Sequence, residues 1–117
     1  MTERSTAEIL RAARERIADP ERWGKGAFAY DGLGQSVGPW REAAVCWCAR
    51  GAVHRECGSA SSRSAHRAEE TLTEAVERLE FDVPDDAEPI AWVNDHHDHE
   101  VVLALFDRAI ELAEESA

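Results

Sequence analysis

The chain has 117 residues, of which 44% are hydrophobic, and a formal net charge of −11 at pH 7. This length fits one domain with a core large enough to fold without disulfide bonds, and the hydrophobic content argues against a disordered acidic chain. The sequence contains no apolar run of about 18 residues, which argues against a membrane-spanning helix.

The first half of the chain predicts a helix, a hairpin and a second helix. Ser5-Thr6-Ala7-Glu8 fits a capping box that opens a helix over residues 6–18. The glycine-rich residues 22–38 indicate a hairpin, with one strand over 27–30 and its partner over 35–37. A helix over 39–56 follows, and its predicted apolar face consists of Trp40, Ala44, Trp47, Cys48 and Gly51.

The second half predicts two further helices. A flexible connection over residues 58–62 leads to a helix over 64–80, and a loop with two prolines leads to a short extended segment over 90–93. The last helix spans 98–115 and begins at Asp98 as its N-cap. The sequence therefore predicts a mainly α fold, with about four helices and a small β-hairpin in a single compact domain over residues 1–117.

A histidine-rich segment, residues 94–100, precedes the last helix. In an extended backbone the side chains of Asp95, His97 and His99 project to one side, and this set suits Zn, Fe or Mn. A fourth ligand has to come from elsewhere in the chain, such as His54, His66 or Cys57. The ordinary interpretation is a solvated loop followed by a helix cap.

A second hypothesis places a ligand site where three segments converge. Asn94-Asp95, Trp23 in the glycine-rich hairpin and the Trp47-Cys48 segment carry polar and aromatic groups of the kind that line ligand pockets. Cys48 is also a candidate nucleophile, although nothing in the sequence places a base beside it, and a buried cysteine is usually a small hydrophobe. The ordinary interpretation is that Trp23 covers the core and that Asn94 and Asp95 satisfy backbone groups within a turn.

Four segments of the chain resemble a known family: Trp23–Ala27, Trp47–Ala52, Asn94-Asp95 and Val102–Ile110. Their order and composition resemble an uncharacterised family of small proteins common in actinobacteria and their phages. Here Val93 separates Trp92 from Asn94, where the family has the two residues adjacent. The resemblance implies no activity, because no function is known for the family.

The charges are unevenly distributed and bear on possible partners. Residues 1–68 carry 11 basic and 8 acidic groups, whereas residues 69–117 carry 2 basic and 16 acidic groups. This acidic half cannot replace phosphate counterions, so we expect no direct binding of nucleic acid, and none of a membrane. It can provide solubility, favour a basic surface on a protein partner, or mimic nucleic acid through a regular carboxylate array.

These patterns favour a small acidic accessory or regulatory protein that binds a protein partner or a small ligand. The alternative is a small enzyme that uses a metal at Asp95, His97 and His99, or Cys48 as nucleophile. Three cysteines are an odd number, and the N-terminus lacks an apolar leader segment, so we expect reduced thiols and a cytoplasmic protein.

Overall fold

The computed structural model describes residues 4–58 and 62–116, and these contain five α-helices and a two-stranded antiparallel sheet. The predicted mainly helical fold with a small antiparallel pair of strands is confirmed, although the number of helices is one higher than predicted. In chain order the elements are α1 Thr6–Arg16, a 3₁₀ turn Pro20–Arg22, β1 Ala29–Asp31, β2 Ala44–Trp47, α2 Ala49–Cys57, α3 Arg63–Arg78, α4 Pro89–His96 and α5 His99–Glu115.

The capping box at the start of α1 is present as predicted. The Ser5 hydroxyl accepts a hydrogen bond from the Glu8 backbone N–H, and the Glu8 carboxylate accepts one from the Ser5 backbone N–H. These bonds satisfy two groups that a helix terminus otherwise leaves unpaired. Helix α1 packs against α5, α2 and α3 around one core, whose largest fully buried side chains include Leu10, Ile17, Leu72, Leu105 and Phe106.

The predicted helix over residues 39–56 is wrong in its first half. Residues Ala44–Trp47 form β2, and the helix begins only at Ala49, with Cys48 as its N-cap. Ala44 and Trp47, the first and last residues of β2, are buried in the core, whereas Val45 is half exposed. A β-branched residue followed by Cys and Trp suits a pleated strand, and the neutrality of residues 43–49 did not distinguish a buried strand from a buried helix. Trp40, predicted on the apolar face, is 43% exposed.

The strand partner of β1 also differs from the predicted one. Tyr30 pairs with Cys46 of β2 on one side, while the predicted partner segment contributes only an isolated bridge between Tyr30 and Ser36 on the other side. The predicted turn is nevertheless present, because the Asp31 carboxylate accepts from the backbone N–H groups of Leu33 and Gln35. A short hairpin alone is marginal, and β2 supplies the additional strand that stabilises it.

Residues 90–93, predicted to be extended, lie in helix α4. The Glu88 carboxylate accepts a hydrogen bond from the Ala91 backbone N–H at 2.7 Å, and Pro89 occupies the first turn, where its missing N–H costs nothing. Asn94 and Asp95 therefore lie on a helix and not in a turn. Asp98 is the N-cap of α5, as predicted, and accepts from the Val101 backbone N–H.

The connection between α2 and α3 is described only at its ends. Gly58 caps α2 in the left-handed conformation, and Ser62 is the N-cap of α3. Residues 59–61, which the sequence predicts to be flexible, lie outside the described residues. Over the part of the chain that the structure describes, no helix is both long enough and apolar enough to cross a membrane.

Candidate functional site

Asn94 is the centre of a buried hydrogen-bonded junction that joins the hairpin, α2 and α4. Its side chain is 1% exposed. Its Oδ1 accepts from the Trp23 indole N–H at 2.7 Å and from the Ala49 backbone N–H at 3.0 Å. Its Nδ2 donates to the Gly24 carbonyl at 3.0 Å and to the Asp95 carboxylate at 3.1 Å. We call these five residues the Asn94 junction.

The hydrogen-bonding capacity of the Asn94 side chain is fully used. An amide offers two acceptor sites and two donors, and all four are satisfied here. The orientation of the amide is fixed by its neighbours, because a flipped group would place its NH₂ against two N–H donors. The junction therefore fixes the position of the first residues of α2 relative to the hairpin and to α4.

Trp23 and Trp47 belong to this structural framework. The Gly24 backbone N–H donates to the Trp47 carbonyl at 3.0 Å, which links the segment after Trp23 to β2. The Trp47 side chain is 4% exposed, and its indole N–H donates to the Pro39 carbonyl at 3.0 Å. The guanidinium of Arg16 lies 4.9 Å from the centre of its ring. Both tryptophan side chains therefore belong to the hydrogen-bonded framework around Asn94.

A cavity of about 280 Å³ opens beside the Asn94 junction. Its walls come from the hairpin, the first turn of α2 and one face of α4. The lining residues are Gly26, Ala27, Phe28, Ser36, Val37, Cys48, Arg50, Ala91 and Asp95. Of the five residues predicted to bind a ligand, Cys48 and Asp95 line this cavity, whereas Trp23, Trp47 and Asn94 lie in the framework behind it.

Cys48 combines a capping role with a place on the cavity wall. Its Sγ accepts from the Gly51 backbone N–H at 3.3 Å at the start of α2. Burial raises the pKa of the Cys48 thiol, and the nearby Asp95 carboxylate raises it further, against the lowering effect of the helix N–H groups. The thiol is therefore protonated at neutral pH, which is unfavourable for a nucleophile.

Arg50 is the charged residue of the cavity that the sequence analysis missed. Its Nη2 donates to Glu69 at 3.3 Å, and its Nε lies 3.9 Å from the Glu88 carboxylate, which is too far for a hydrogen bond. This buried Nε has no hydrogen-bond acceptor among the described residues. A signal was present in the sequence, because Arg50 directly follows the uncharged run 43–49 and a charge in a buried segment needs a partner or a site.

The buried His54 and the partly exposed Glu69 form a pair next to Arg50. His54 is 3% exposed, and its Nε2 contacts the Glu69 carboxylate, which Arg50 also contacts. The His54 ring lies between Phe28 and Trp40, with ring centres 5.0 and 6.2 Å away. Burial alone would raise the pKa of Glu69, but the hydrogen bond from His54 and the charge of Arg50 outweigh it and leave the pKa below its ordinary value.

The three predicted metal ligands face different neighbours. The Asp95 Oδ1 accepts from the Gly26 backbone N–H at 3.0 Å, and the His97 ring lies against Phe81. The His99 Nε2 lies 2.6 Å from the Ile17 carbonyl. A carbonyl oxygen only accepts hydrogen bonds, so this nitrogen carries the proton and is not available to a metal.

The candidate fourth ligands do not complete a metal site. His54 is paired with Glu69, and among residues 4–58 and 62–116 no group of three or more His, Cys, Asp or Glu side chains could hold a metal ion. The assignment of a Zn, Fe or Mn site stays a prediction that this arrangement does not support.

Comparisons with known proteins identify a family. A scan against protein families matches residues 1–112 to a family of unknown function (DUF6197). A search of curated proteins and a search of solved structures each found no match. The matched region includes all the residues of the cavity and of the Asn94 junction. The chain therefore belongs to this family of unknown function, in agreement with the uncharacterised family expected from its motifs.

Proposed function

We propose that this protein is an accessory or regulatory protein that binds a small ligand in the cavity beside the Asn94 junction. The observation that carries the proposal is the cavity of about 280 Å³, whose walls are largely apolar and contain two charged side chains, Arg50 and Asp95. Ligand sites in proteins are typically concave and mostly apolar, with a few polar groups that fix orientation. The volume lies just below the roughly 300–1,000 Å³ of drug-sized sites, so the ligand is small.

The acidic half of the chain supports a partner-binding function less well. Several carboxylates of α3 and α5 are paired with arginines, including Asp107 with Arg14 at 2.7 Å and Glu114 with Arg11 at 3.1 Å. This pairing interrupts the regular carboxylate array that mimicry of nucleic acid requires. Scattered surface charge of this kind is ordinary for a soluble domain.

An enzymatic function has less support than ligand binding. The Cys48 thiol has a raised pKa, and His54, the buried histidine of α2, is engaged with Glu69. A cysteine nucleophile needs a neighbouring base or a lowered pKa. The resemblance of the sequence motifs favours an actinobacterial or phage setting for the protein, and the proposed function is compatible with such a setting.

A titration observed by NMR tests the proposed function. The probe is 3-methylbutan-1-ol, a small apolar molecule with one uncharged polar group, added to uniformly ¹⁵N-labelled protein. We expect saturable shifts of the amide signals of Gly26–Phe28, Cys48, Arg50, Ala91 and Asp95, because these residues line the cavity. Shifts that do not saturate, or that spread evenly over the protein surface, would contradict a specific site.

A matched pair of variants links any binding to the cavity. Ala91→Leu places a larger side chain into the cavity from α4, whereas Ala104→Leu makes the same change at an exposed position of α5. We expect Ala91→Leu to abolish the saturable shifts and Ala104→Leu to leave them unchanged. Equal binding by both variants would place the probe elsewhere and overturn the proposal.

A further inference from the structure

We infer that the ligand is a small zwitterion, an α-amino acid with an apolar side chain, with its carboxylate directed to Arg50 and its ammonium group to Asp95. This inference rests on the proposed function, since it names the class of ligand that the same cavity takes. It starts from the fact that one mostly apolar cavity contains both a guanidinium and a carboxylate. The described contacts of these two groups are with other residues, and no ion pair joins them to each other.

The Arg50 guanidinium on the cavity wall is suited to an anionic group. The guanidinium uses one Nη donor for Glu69, and its Nε has no acceptor, since the Glu88 carboxylate is 3.9 Å away and is already held by the Ala91 N–H. A buried donor without an acceptor is unfavourable, and a ligand carboxylate that reaches this guanidinium would relieve the defect. The planar guanidinium binds a carboxylate through parallel hydrogen bonds, which also fixes the orientation of the ligand.

The N-terminus of α2 reinforces this preference. Arg50 lies in the first turn of the helix, where the helix dipole favours negative charge. The N–H groups of Ala49 and Gly51 already donate to Asn94 and Cys48, so the helix contributes a field at this end and not a direct contact. The electrostatic preference for an anion is thus combined with a side-chain donor that can reach it.

The Asp95 carboxylate on the cavity wall is suited to a cationic donor. Both described hydrogen bonds to the Asp95 carboxylate, from the Gly26 N–H and the Asn94 Nδ2, end on Oδ1. A carboxylate has about four acceptor positions, so Oδ2 keeps the capacity to accept from a ligand ammonium group. Asp95 also lies in the last turn of α4, where the helix dipole favours a cation. The cavity therefore contains one side chain that prefers an anion and one that prefers a cation.

The remaining walls fit an apolar side chain. Phe28 and Val37 from the hairpin and Ala91 from α4 also line the cavity. Such a surface gains free energy by excluding water from an aliphatic group. The volume of about 280 Å³ limits the ligand to a small molecule. An aliphatic α-amino acid combines the three required features in one compact structure.

Four probes that share an isobutyl group test the inference by calorimetric titration of the wild-type protein. L-leucine carries both charges, 4-methylpentanoate lacks the ammonium group, 3-methylbutylamine lacks the carboxylate, and 3-methylbutan-1-ol is uncharged. We expect L-leucine to bind at least about tenfold more tightly than each of the other three, because it alone satisfies both charged groups. If a probe other than L-leucine binds most tightly, the inference is wrong and the proposed function still stands. If none of the four probes binds, both the inference and the proposed function are wrong.

Variants assign each charge of the ligand to its residue. Arg50→Met should weaken the binding of L-leucine and 4-methylpentanoate by about tenfold or more and leave the binding of 3-methylbutylamine unchanged. Asp95→Asn should weaken the binding of L-leucine and 3-methylbutylamine by a similar factor and leave the binding of 4-methylpentanoate unchanged. Asp95→Asn keeps an oxygen for the Gly26 N–H, so the fold is retained. Arg11→Met and Asp85→Asn change the same charges at exposed positions outside the cavity and serve as controls. Equal losses for all probes in both cavity variants would contradict the assignment, and the wild-type comparison decides the inference even where a variant is poorly folded.

Discussion

Replacing Asn94 by Ala should be among the most destabilising single changes in this protein. The substitution removes four hydrogen bonds at once, and three of the partner groups then lose the acceptor or donor that the structure shows for them. These groups are the Trp23 indole N–H, the Ala49 backbone N–H and the Gly24 carbonyl. The fourth partner, Asp95, keeps its hydrogen bond from the Gly26 N–H.

The expected loss follows from the number of groups left without a partner. A buried polar group that loses its partner costs about 1–3 kcal/mol, and three such groups give about 3–5 kcal/mol when the partial exposure of Trp23 is taken into account. A domain of this size has a free energy of unfolding of about 5–15 kcal/mol, so the loss is a large fraction of the total. Urea denaturation of wild-type and Asn94→Ala proteins measures it directly.

A graded control removes one of the four hydrogen bonds. Trp23→Phe removes the indole donor together with part of the ring and leaves Asn94 Oδ1 with its bond from Ala49, so we expect a smaller loss, of about 1–2 kcal/mol. A loss below about 1 kcal/mol for Asn94→Ala, or an equal loss for both variants, would refute the view that this amide holds the junction together.

Three further predictions follow from contacts described above. Gly51→Ala should lower the urea midpoint markedly, because the added carbon would overlap the Phe28 carbonyl oxygen, whereas Gly32→Ala, with no atom nearby, should have little effect. The pKa of Glu69 is lowered in the folded protein, so the stability that Glu69 contributes is present above its unfolded pKa and is lost as the pH falls through its folded pKa. Glu69→Gln should therefore reduce the loss of stability at acidic pH, as measured by urea titrations at successive pH values. An unchanged loss in this variant would exclude Glu69 as its source. Burial raises the pKa of Cys48, so at pH 7 iodoacetamide should modify this thiol much faster in urea than in the native protein. Mass spectrometry measures the two rates, and equal rates would contradict the protected position of Cys48.

The helices that could be predicted from sequence are those whose signals are local. The capping box at Ser5, the N-cap at Asp98 and the apolar periodicity of the last helix act within a few residues, and all three are present. The prediction for the segment around Val45 was wrong because the conformation of this segment depends on pairing with the strand at Tyr30, some fifteen positions earlier. Periodicity within a short uncharged run cannot report such a partner.

Only part of the candidate site could be predicted, because only part of it is marked by local sequence signals. Asn94-Asp95, Trp23 and the Trp47-Cys48 segment were expected to lie together, and hydrogen bonds join Asn94 to Trp23 and to Ala49, the residue after Cys48. The cavity itself lies to one side of that junction and depends on Arg50, whose unpaired Nε results from the relative placement of two other helices. The uncharged run before Arg50 indicates that this charge needs a partner or a site, but the unpaired Nε depends on the tertiary structure, which a single stretch of sequence does not specify.

The long sequence separations within the Asn94 junction also determine when it can form during folding. Asn94 reaches residues 71 and 45 positions earlier in the chain, so its bonds close large loops that must first be brought together by helix packing. The bonds of the junction should therefore be absent from the folding transition state, and their loss should accelerate unfolding and leave the rate of folding nearly unchanged. A ligand that binds the native cavity should likewise slow unfolding, because it stabilises the native state in which the junction is closed.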